Sequence, residues 1–448
     1  MAATVALPRG ERLRLPAIGL EEAACVALFA FFSMQGAIPG IAPRQALEMT
    51  GLAPTRLMTM GGIGSQLVAN AAILLMLLRR PRLVLERLSV TPWVALLAVW
   101  AVASTAWSID PWLTLRRSLP FALAGVFGVY FASRFTPARQ LAILRATMLV
   151  VAVATVAVVL LAPSIGLDPS PGHALDWRGI FTQKNACGRI MVLATAAVLF
   201  SERISPAQAA MLPLFGLVLA MSGSRGAWLV EAVMLLVWLA VAAGRGSGAR
   251  GRTVLAVAAP LAAGAIAWGG YVLFPWIARL VGRDPTLTGR TAIWAQVRQF
   301  IARRPLFGYG YDAFWRGMHG PSFQVDAAVH FIVEHAHNGF LEILLELGTV
   351  GLALFALSWI TGWMRLWPLW RSGDVGRIAF PLAMLVLIVL YDLDENTLLI
   401  YNGLFWVLYV AALTNLGLAV RDHRHIRHSS PHAILTAPRR VDRTSFSG

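Results

Sequence analysis

Apolar segments of the length needed to cross a bilayer recur along almost the whole chain. A membrane-spanning helix needs about 20 consecutive, mostly apolar residues, and the sequence predicts about twelve such segments. Their approximate bounds are 22–40, 60–78, 91–108, 118–133, 142–162, 186–201, 207–222, 226–243, 253–274, 338–361, 378–393 and 399–419. The first follows a basic stretch like that of a signal peptide, but no convincing small-residue cleavage site comes after it. We therefore expect an all-α polytopic membrane protein whose first helix is retained.

Composition excludes a soluble globular protein. Hydrophobic residues make up 58% of the 448 residues and charged residues only 13%, about half the charged fraction of ordinary globular domains. The net charge of +16 comes almost entirely from arginine, because Lys184 is the only lysine. These arginines lie mostly in short loops between apolar segments, which is typical of a topology signal rather than of a nucleic-acid-binding face. Cys25 and Cys187 match no disulfide framework or zinc spacing.

The distribution of arginine predicts the orientation in the membrane. With about twelve spans, the N-terminal segment 1–21, alternate short loops and the tail 420–448 all fall on one face. Cytoplasmic loops carry the excess of Lys and Arg, so both termini are predicted to be cytoplasmic and the other face periplasmic, in a bacterial inner membrane. The tail is rich in Arg, His, Ser and Pro, and we expect it to be disordered.

One long loop, 275–337, lies between transmembrane helices 1–9 (22–274) and helices 10–12 (338–419). Long loops are translocated largely regardless of charge, so its arginines do not change the predicted orientation. Residues 289–303 predict an amphipathic helix, because apolar side chains recur at helical spacing at Ile293, Trp294, Val297, Phe300 and Ile301. The pattern favours an interfacial helix that covers the outer face as a lid. An ordinary connecting domain is the alternative.

Three motifs in the predicted outer loops place cationic groups beside helix ends. They are the segment Trp177 to Asn185, with Arg178 and Lys184; the turn Ser222 to Gly226, with Ser224 and Arg225; and Thr288-Gly289-Arg290. Guanidinium groups bind phosphate oxygens in pairs, and hydroxyls and amides at a helix N-terminus also suit phosphate. The motifs therefore indicate an anion-binding site. Snorkelling arginines, a plain turn and solvated surface are the alternatives.

A fourth motif, from His335 to Glu346, has the most specific chemistry. Asn338 is a candidate N-cap for the tenth helix, and Asn338, Glu342 and Glu346 share one stripe of it. Carboxylates on a membrane helix need cationic or hydrogen-bonding partners, and three arginines on the same face are candidates: Arg178, Arg189 and Arg225. His337 lies at the mouth of the helix, where a neutral imidazole can take a proton from a sugar hydroxyl. A hydrogen-bonded structural histidine is the alternative.

Acidic groups in the last outer loop complete the set: Asp392, Asp394 and Glu395, beside Asn396. We expect them to orient His337 or to balance the arginines. Their spacing matches no metal motif, so no metal site is predicted. The chain also lacks a P-loop and a dinucleotide-binding motif, and no cofactor is expected. A glycan donor at the outer face must then already be activated and lipid-borne, as a polyprenyl-diphosphate-linked glycan is.

In this order, the motifs resemble those of the O-antigen ligase and polymerase superfamily of the Wzy_C type. The resemblance runs over about residues 175–410 and includes Gly289-Arg290, the segment Pro305 to Gly310, and His337-Asn338. Gly179 to Asn185 is most similar to exopolysaccharide polymerases of the ExoQ type. The resemblance implies a GT-C-like architecture and a metal-independent, inverting glycosyl transfer from an undecaprenyl-diphosphate donor at the periplasmic face.

The resemblance also implies roles for individual residues. His337 would assist the acceptor hydroxyl, and His335 in the same motif could share or replace that role. Four cationic residues would bind the diphosphate: Arg178, Arg225, Arg290 and Lys184. Six further residues would support the site: Asn185, Ser224, His335, Asn338, Glu342 and Glu395.

The leading hypothesis is an exopolysaccharide polymerase that transfers glycan from undecaprenyl diphosphate to a sugar hydroxyl of another lipid-linked repeat unit. An O-antigen ligase, which uses the same donor and transfers glycan to lipid A core, is the nearest alternative. A transporter or flippase for lipid-linked sugars is a third hypothesis, but it predicts functional charges near the bilayer midplane. The expected partners are the lipid-linked oligosaccharide, membrane lipid, and chain-length regulator and export proteins, with no nucleic acid.

Overall fold

A computed structural model of the chain describes residues 19–36, 56–169, 173, 175–256, 258, 290–317 and 320–429. This part of the chain is built from α-helices, and extended backbone pairs in it only at an isolated antiparallel bridge between Leu167 and Trp177. The helices with defined bounds are α1 Leu20–Ser33, α2 Arg56–Leu78, α3 Pro81–Leu88, α4 Pro92–Ala103, α5 Pro111–Arg134, α6 Pro137–Leu161, α7 Pro163–Gly166, α8 Lys184–Leu199, α9 Pro206–Ala209, α10 Leu212–Met221, α11 Arg225–Gly246, α12 Arg290–Arg303, α13 Ser322–Val329, α14 Gly339–Ser372, α15 Val375–Asp392 and α16 Leu404–Ser429.

Local sequence signals separate one apolar helix from the next. Proline occupies the first turn of several helices: Pro92, Pro111, Pro137 and Pro206. That position tolerates proline because its missing N–H would have no partner within the helix. Asp110 and Thr136 also cap α5 and α6 by accepting hydrogen bonds from the N–H groups of Leu113 (3.1 Å) and Arg139 (3.4 Å).

Six helices are long and apolar enough to cross a membrane, and a seventh span results if α3 and α4, which are bent by 102°, count as one. The six are Met60–Leu78, Pro137–Leu161, Arg225–Gly246, Gly339–Ser372, Val375–Asp392 and Leu404–His423. The protein is therefore an α-helical, multi-pass membrane protein. Several other predicted segments coincide with shorter helices, and most of segment 253–274 lies outside the described residues. The number of about twelve spans stays a prediction.

The ends of α1, α2 and α5 lie together, as their predicted placement on one face requires. Glu21 in the first turn of α1 pairs with Arg134 at the end of α5 (2.8 Å) and with Arg80 after α2 (3.9 Å). Glu22 pairs with Arg139 at the start of α6. These contacts support the relative topology, whereas the orientation of this face toward the cytoplasm stays a prediction.

Helices α5 and α16 pack closely in the centre of the bundle. Trp406 stacks on Phe121 with 4.4 Å between ring centroids, and its Nε1 donates to the Phe121 carbonyl at 3.0 Å. Gly128 permits the close approach, because a Cβ there would lie 2.7 Å from the Val407 carbonyl oxygen. Small residues that bring backbones together are a usual source of helix association in membranes. This packing positions the loop between α15 and α16, which carries Glu395.

Helix α14 is interrupted at Gly348, whose φ of 68° lies in the left-handed region. The segment from Pro305 to Tyr309 packs alongside the break. The Thr349 N–H donates to the Pro305 carbonyl at 2.8 Å, and the Tyr309 N–H donates to the Leu345 carbonyl at 2.9 Å. Backbone groups freed by the break are thereby hydrogen-bonded, as they must be away from water. The segment therefore supports the first part of α14, which adjoins the candidate site.

Residues 290–317 and 320–337 form an outer domain with its own apolar core. The amphipathic helix predicted over 289–303 is confirmed as α12, and its apolar face is buried at Ile293, Val297 and Phe300. The rest of the core comprises Tyr309, Phe314, Trp315, Val325, Val333, Ala336 and, from α14, Leu345. This part of the predicted loop is a packed domain, and its action as a lid stays a prediction.

Helix α16 continues through Ser429, into the tail that was predicted to be disordered from residue 420. An ion pair between Asp422 and Arg377 (2.8 Å) joins the extension to the start of α15. The predicted start of the disordered tail is corrected accordingly. Residues 1–18, 37–55, 259–289 and 430–448 lie outside the described part, and so do the corresponding parts of the predicted domains.

Candidate active site

Several helix ends converge at the predicted outer face. They are the starts of α8, α11, α12 and α14 and the end of α15. Asn338 caps α14, because its Oδ1 accepts from the Leu341 N–H at 3.0 Å, which confirms the predicted N-cap. Its Nδ2 donates to the Leu393 carbonyl at 3.2 Å. The start of α14, with His337 before it, is thus tied to the loop that follows α15.

Glu395 lies at the centre of the resulting cluster. Its Oε1 accepts from Nη2 of Arg290 at 3.1 Å and from Nδ2 of Asn185 at 3.4 Å. Its Oε2 lies 3.3 Å from Nδ1 of His337 and 3.7 Å from Nε2 of His335. One buried carboxylate therefore joins residues from α8, α12 and the segment before α14. The acids of this loop were expected to orient His337 or to balance the arginines, and Glu395 contacts both His337 and Arg290.

Glu395 remains ionised at neutral pH. Burial by itself would raise the pKa of its carboxyl, but the hydrogen bond from His337 and the neighbouring positive charges hold that pKa well below its ordinary value. Arg290 pairs with Asp394 as well as with Glu395, so its guanidinium bridges two adjacent carboxylates.

The hydrogen bonds of the cluster set the tautomers of both histidines. The N–H of His337 donates to Nδ1 of His335 at 3.2 Å, so the ring proton of a neutral His335 lies on Nε2, toward Glu395. Burial, and next the neighbouring His337, lower the pKa of His335 to about 3, which keeps it neutral at pH 7. Because an ionised carboxylate only accepts hydrogen bonds, a neutral His337 donates from Nδ1 and keeps its lone pair on Nε2. Nε2 of His337 is therefore the basic atom of the pair.

The backbone around His337 is constrained. Its φ of 49° lies in the left-handed region, which residues other than glycine rarely adopt and which is concentrated at functional sites. The preceding residue, Ala336, is held on both sides: its N–H donates to Glu342 at 2.7 Å and its carbonyl accepts from Nε1 of Trp294 at 2.9 Å. These bonds fix the position of the imidazole.

His335, His337 and Glu395 also offer ligand atoms within 4.8 Å of one another, close enough to hold a metal ion. A metal on Nε2 of His335 would require the ring proton on Nδ1, where it would displace the hydrogen bond from the His337 N–H. Arg290 already occupies the same carboxylate. The hydrogen-bonding pattern therefore favours a histidine base over a metal centre.

The turn before α11 borders this cluster. Ser224 donates from Oγ to Oδ1 of Asn185 at 3.1 Å, and a Cβ on Gly226 would lie 2.7 Å from Oδ2 of Asp394. Arg225, the first residue of α11, is exposed between these two contacts. The structure thus brings the turn that carries Arg225 together with Asn185 and the Arg290–Asp394 pair.

Two of the predicted diphosphate-binding cations are engaged elsewhere. Nζ of Lys184 lies 2.7 Å from Oδ2 of Asp176. Arg178 donates from Nε to the carbonyl of Ile165 at 2.8 Å, which anchors the loop after α6. The sequence pattern did not indicate these partners, because the contacts form only when residues 163–183 fold back on themselves.

The partners of the α14 carboxylates also differ from those predicted. Glu342 accepts from Nε1 of Trp315 at 2.5 Å and from the Ala336 N–H at 2.7 Å, so neutral donors replace the expected arginines. Glu346 is buried, and its Oε2 has no hydrogen-bond partner among the described residues. Cationic or hydrogen-bonding partners were expected; the outer domain supplies a hydrogen-bonding one, Trp315, for Glu342, and among the described residues no arginine pairs with either acid. Nothing in the spacing of the sequence signals this tryptophan.

Arg189, in the second turn of α8, is a buried arginine beside a cavity. It is only 6% exposed and makes no hydrogen bond or ion pair with any other described residue. It lines a small cavity together with Thr397 and, from the end of α1, Ser33 and Gln35. A buried guanidinium without a partner is costly, so the cavity has the chemistry of an anion site. Its position one turn inside α8 was the available sequence signal.

Comparison with protein-family models identifies part of the chain. Residues 209–356 match the Wzy_C family, described as O-antigen ligase. The matched region contains Arg225, Arg290 and His337, three of the residues through which the resemblance was noted.

Known proteins show the same relationship. The exopolysaccharide production protein ExoQ of Rhizobium meliloti is 29% identical over 297 residues, which cover 60% of this chain and 63% of ExoQ. A putative polysaccharide ligase of Rickettsia prowazekii is 34% identical over 99 residues, 19% of this chain and 24% of the relative. A putative polysaccharide ligase of Rickettsia bellii is 31% identical over 124 residues, which cover 25% of this chain and 29% of the relative. The resemblance to the Wzy_C superfamily, and to ExoQ within it, is confirmed, although the chain spans less than two thirds of the length of these relatives.

Proposed function

We propose that the protein is an exopolysaccharide polymerase that transfers glycan from an undecaprenyl-diphosphate donor to a sugar hydroxyl of another lipid-linked repeat unit. The observation that carries the proposal is the pairing of His337 with the ionised Glu395, beside Arg290 and Arg225, at one face of a helical membrane protein. An imidazole held by a carboxylate is suited to take a proton. The cations beside it are suited to a leaving group that gains negative charge.

In the proposed reaction, His337 accepts the proton of the acceptor hydroxyl on Nε2. The acceptor oxygen forms a bond to the anomeric carbon of the donor sugar from the side opposite the leaving group. The bond between that carbon and the phosphate oxygen breaks, and its electron pair leaves with undecaprenyl diphosphate. Attack from the opposite side inverts the anomeric centre. Glu395 stabilises the imidazolium that forms, and neither a metal nor a cofactor is required.

The diphosphate is proposed to bind to Arg225 and Arg290, with Arg189 as a third contact. Arg225 is exposed beside the cluster, Arg290 borders it, and Arg189 is the buried arginine that lacks a partner among the described residues. Arg178 and Lys184, the other two predicted contacts, are less favoured because their side chains bond carbonyl groups and Asp176 and not the residues around Glu395. Asn185, Ser224 and Asn338 would position the cluster.

Transfer to lipid A core, the reaction of an O-antigen ligase, is the second candidate. The family description and the ligases of Rickettsia favour it. The longer alignment with ExoQ favours the polymerase. A flippase is disfavoured because the polar cluster lies at helix ends rather than at mid-membrane breaks. We place the active site at the periplasmic face of the bacterial inner membrane, with both termini cytoplasmic and with chain-length regulator and export proteins as partners.

The proposal is tested by His337→Ala in a strain that lacks the chromosomal gene, with the amount of protein in the membrane measured by immunoblot. We expect polymer to disappear and single repeat units to accumulate on lipid. His330→Asn is the matched control: His330 is exposed in the outer domain, away from the cluster, and asparagine tolerates its φ of 65°.

Polymer of normal length in the His337→Ala strain would show that His337 is structural and would overturn the mechanism. Loss of glycan from lipid A core, with exopolysaccharide unchanged, would identify the ligase instead.

A further inference from the structure

Lys184 belongs to a second polar cluster on the outer face. Its Nζ lies 2.7 Å from Oδ2 of Asp176 and 2.7 Å from Nδ1 of His173, and these two atoms are 2.8 Å apart. The three side chains are neither buried nor fully solvated: Lys184, Asp176 and His173 are 16%, 25% and 36% exposed. The cluster is therefore accessible to a ligand but sheltered from bulk water.

The cluster has more hydrogen-bonding capacity than its members use. Nδ1 of a neutral His173 can donate to Asp176 or accept from Lys184, but it cannot do both. Oδ1 of Asp176 accepts no hydrogen bond from a described residue. Burial tends to raise the pKa of Asp176, but hydrogen bonds from Lys184 and His173 lower it below its ordinary value. An ionised acceptor and unused donors thus lie side by side.

The turn before α11 separates this cluster from the His337–Glu395 pair. Gly223 has a φ of 61°, and a Cβ on it would overlap the Asp176 carboxylate. On the other side of the turn, Gly226 packs against Asp394 in the same manner. The N–H of Trp177 donates to the Met221 carbonyl at 2.8 Å, which holds the Asp176 segment against the turn.

Consecutive residues of α8 also join the two clusters. Lys184 faces Asp176, whereas the side chain of Asn185 bonds Ser224 and Glu395. A ligand that occupies both clusters would therefore extend across one turn of backbone, a distance that suits an oligosaccharide rather than a single small ion.

We propose that Asp176, His173 and Lys184 form a glycan-binding subsite that holds a sugar unit of the substrate through its hydroxyl groups. This inference rests on the proposed glycosyl transfer. The carboxylate of Asp176 balances the charge of Lys184, so the cluster as a whole does not attract a phosphate. A hydroxyl both donates and accepts, and it can donate to Oδ1 of Asp176 while it accepts from Lys184. The subsite therefore positions the glycan, and the three residues do not take part in the chemical step.

The test is the kinetics of polymerisation by the full-length protein in detergent, with the lipid-linked repeat unit as substrate. Asp176→Asn should raise KM about tenfold, equivalent to one lost charged hydrogen bond, and leave kcat within about twofold. Asp374→Asn is the matched control, since Asp374 is 31% exposed, precedes α15 at the end opposite to Glu395, and contacts a cation, Arg377 in the first turn of α15. Lys184→Gln should reproduce the effect, and Lys184→Arg should partly restore the wild-type KM.

A second measurement uses the oligosaccharide released from the lipid-linked repeat unit by mild acid as a probe. Saturation-transfer NMR should detect its binding to the wild type and to His337→Ala, and should show weaker binding to Asp176→Asn. Inorganic phosphate should not compete.

If Asp176→Asn does not fold, the Lys184 variants decide the question. Unchanged KM and unchanged probe binding in a folded variant that still polymerises would overturn the subsite alone. Absence of polymerisation by the wild type would instead overturn the proposed function.

Discussion

Oε2 of Glu395 lies 3.3 Å from Nδ1 of His337, and the other oxygen of the same carboxylate accepts from Arg290 at 3.1 Å. One side chain therefore orients the proposed base and contacts a proposed diphosphate-binding residue. Because Glu395 follows α15 while His337 precedes α14, the pairing depends on how these two helix ends meet at the outer face. This relationship makes the site sensitive to changes in any of the three residues.

Glu395→Gln should lower kcat of polymerisation by about 10–100-fold. An amide is neutral, so it stabilises an imidazolium less well, and its NH₂ group can donate to His337 and reverse the tautomer. The measurement is the rate of polymer formation from lipid-linked repeat units by purified protein. Glu86→Gln, at an exposed position of α3, should have no effect. A Glu395→Gln enzyme with full kcat would show that the pair is not part of the chemistry.

Acid should destabilise the outer face through His335. The pKa of this imidazole in the folded protein is about 3, below its ordinary 6.5, so between these values the unfolded chain binds more protons than the folded chain. The contribution of His335 to the free energy of unfolding must then fall as the pH drops below about 6.5. The low pKa of Glu395 acts in the same direction at still lower pH.

This pH dependence can be measured as Tm in detergent between pH 7.5 and pH 5. His335→Asn, which removes the titrating group, should show a smaller decrease in Tm than the wild type. Equal decreases in the two proteins would mean that His335 is protonated in the folded state, contrary to its burial.

The sequence predicted those parts of the site that depend on local signals. The helical spacing of apolar residues predicted α12, and Asn338 predicted the start of α14. Motifs at helix ends on one predicted face, together with the resemblance to the Wzy_C superfamily, then placed Arg290, His337 and Glu395 among the candidate site residues. The helices follow from periodicity and capping chemistry, whereas the role of Arg290 came from the resemblance alone.

The remaining contacts arise from tertiary packing and had no local signal. Lys184 pairs with Asp176 because the 163–183 loop folds back through the bridge between Leu167 and Trp177. Glu342 meets Trp315 only because the outer domain packs on α14. Such partners depend on the relative placement of distant elements, which hydrophobic periodicity does not specify.

Gly348→Ala should destabilise the protein by at least about 1–3 kcal/mol. The φ of Gly348 is 68°, and a Cβ there would overlap the Leu306 carbonyl oxygen, so the segment that supports the break in α14 would be displaced. The measurement is Tm in detergent, with polymer formation as a second readout. Gly216→Ala in α10 is the matched control, because a Cβ at that position meets no atom within 4 Å. Equal Tm values for the two variants would show that the break in α14 tolerates a side chain.

Arg189→Gln should raise KM for the lipid-linked donor about tenfold or more, since a hydrogen bond to a charged group contributes about 1.5–3 kcal/mol. Arg189 is buried at the edge of a cavity and makes no hydrogen bond or ion pair with another described residue, so an anion from the substrate would supply hydrogen-bond acceptors for its guanidinium. Without substrate, the variant should be about as stable as the wild type, because no hydrogen bond or ion pair of Arg189 with a described residue is lost and only the effect of its charge on Glu395 is removed.

The combination of weaker donor binding and undiminished Tm separates a ligand-binding role for Arg189 from a structural one. Inorganic pyrophosphate should inhibit the wild type more strongly than Arg189→Gln, because it presents the same anionic oxygens without the lipid or the glycan. Arg250→Gln is the control and should behave like the wild type in both assays. Arg250 is exposed and is the second residue of the helix that starts at residue 249. If Arg189→Gln lowers Tm and leaves both KM and pyrophosphate inhibition unchanged, Arg189 is a structural residue, and the diphosphate must be bound by Arg225 and Arg290 without it.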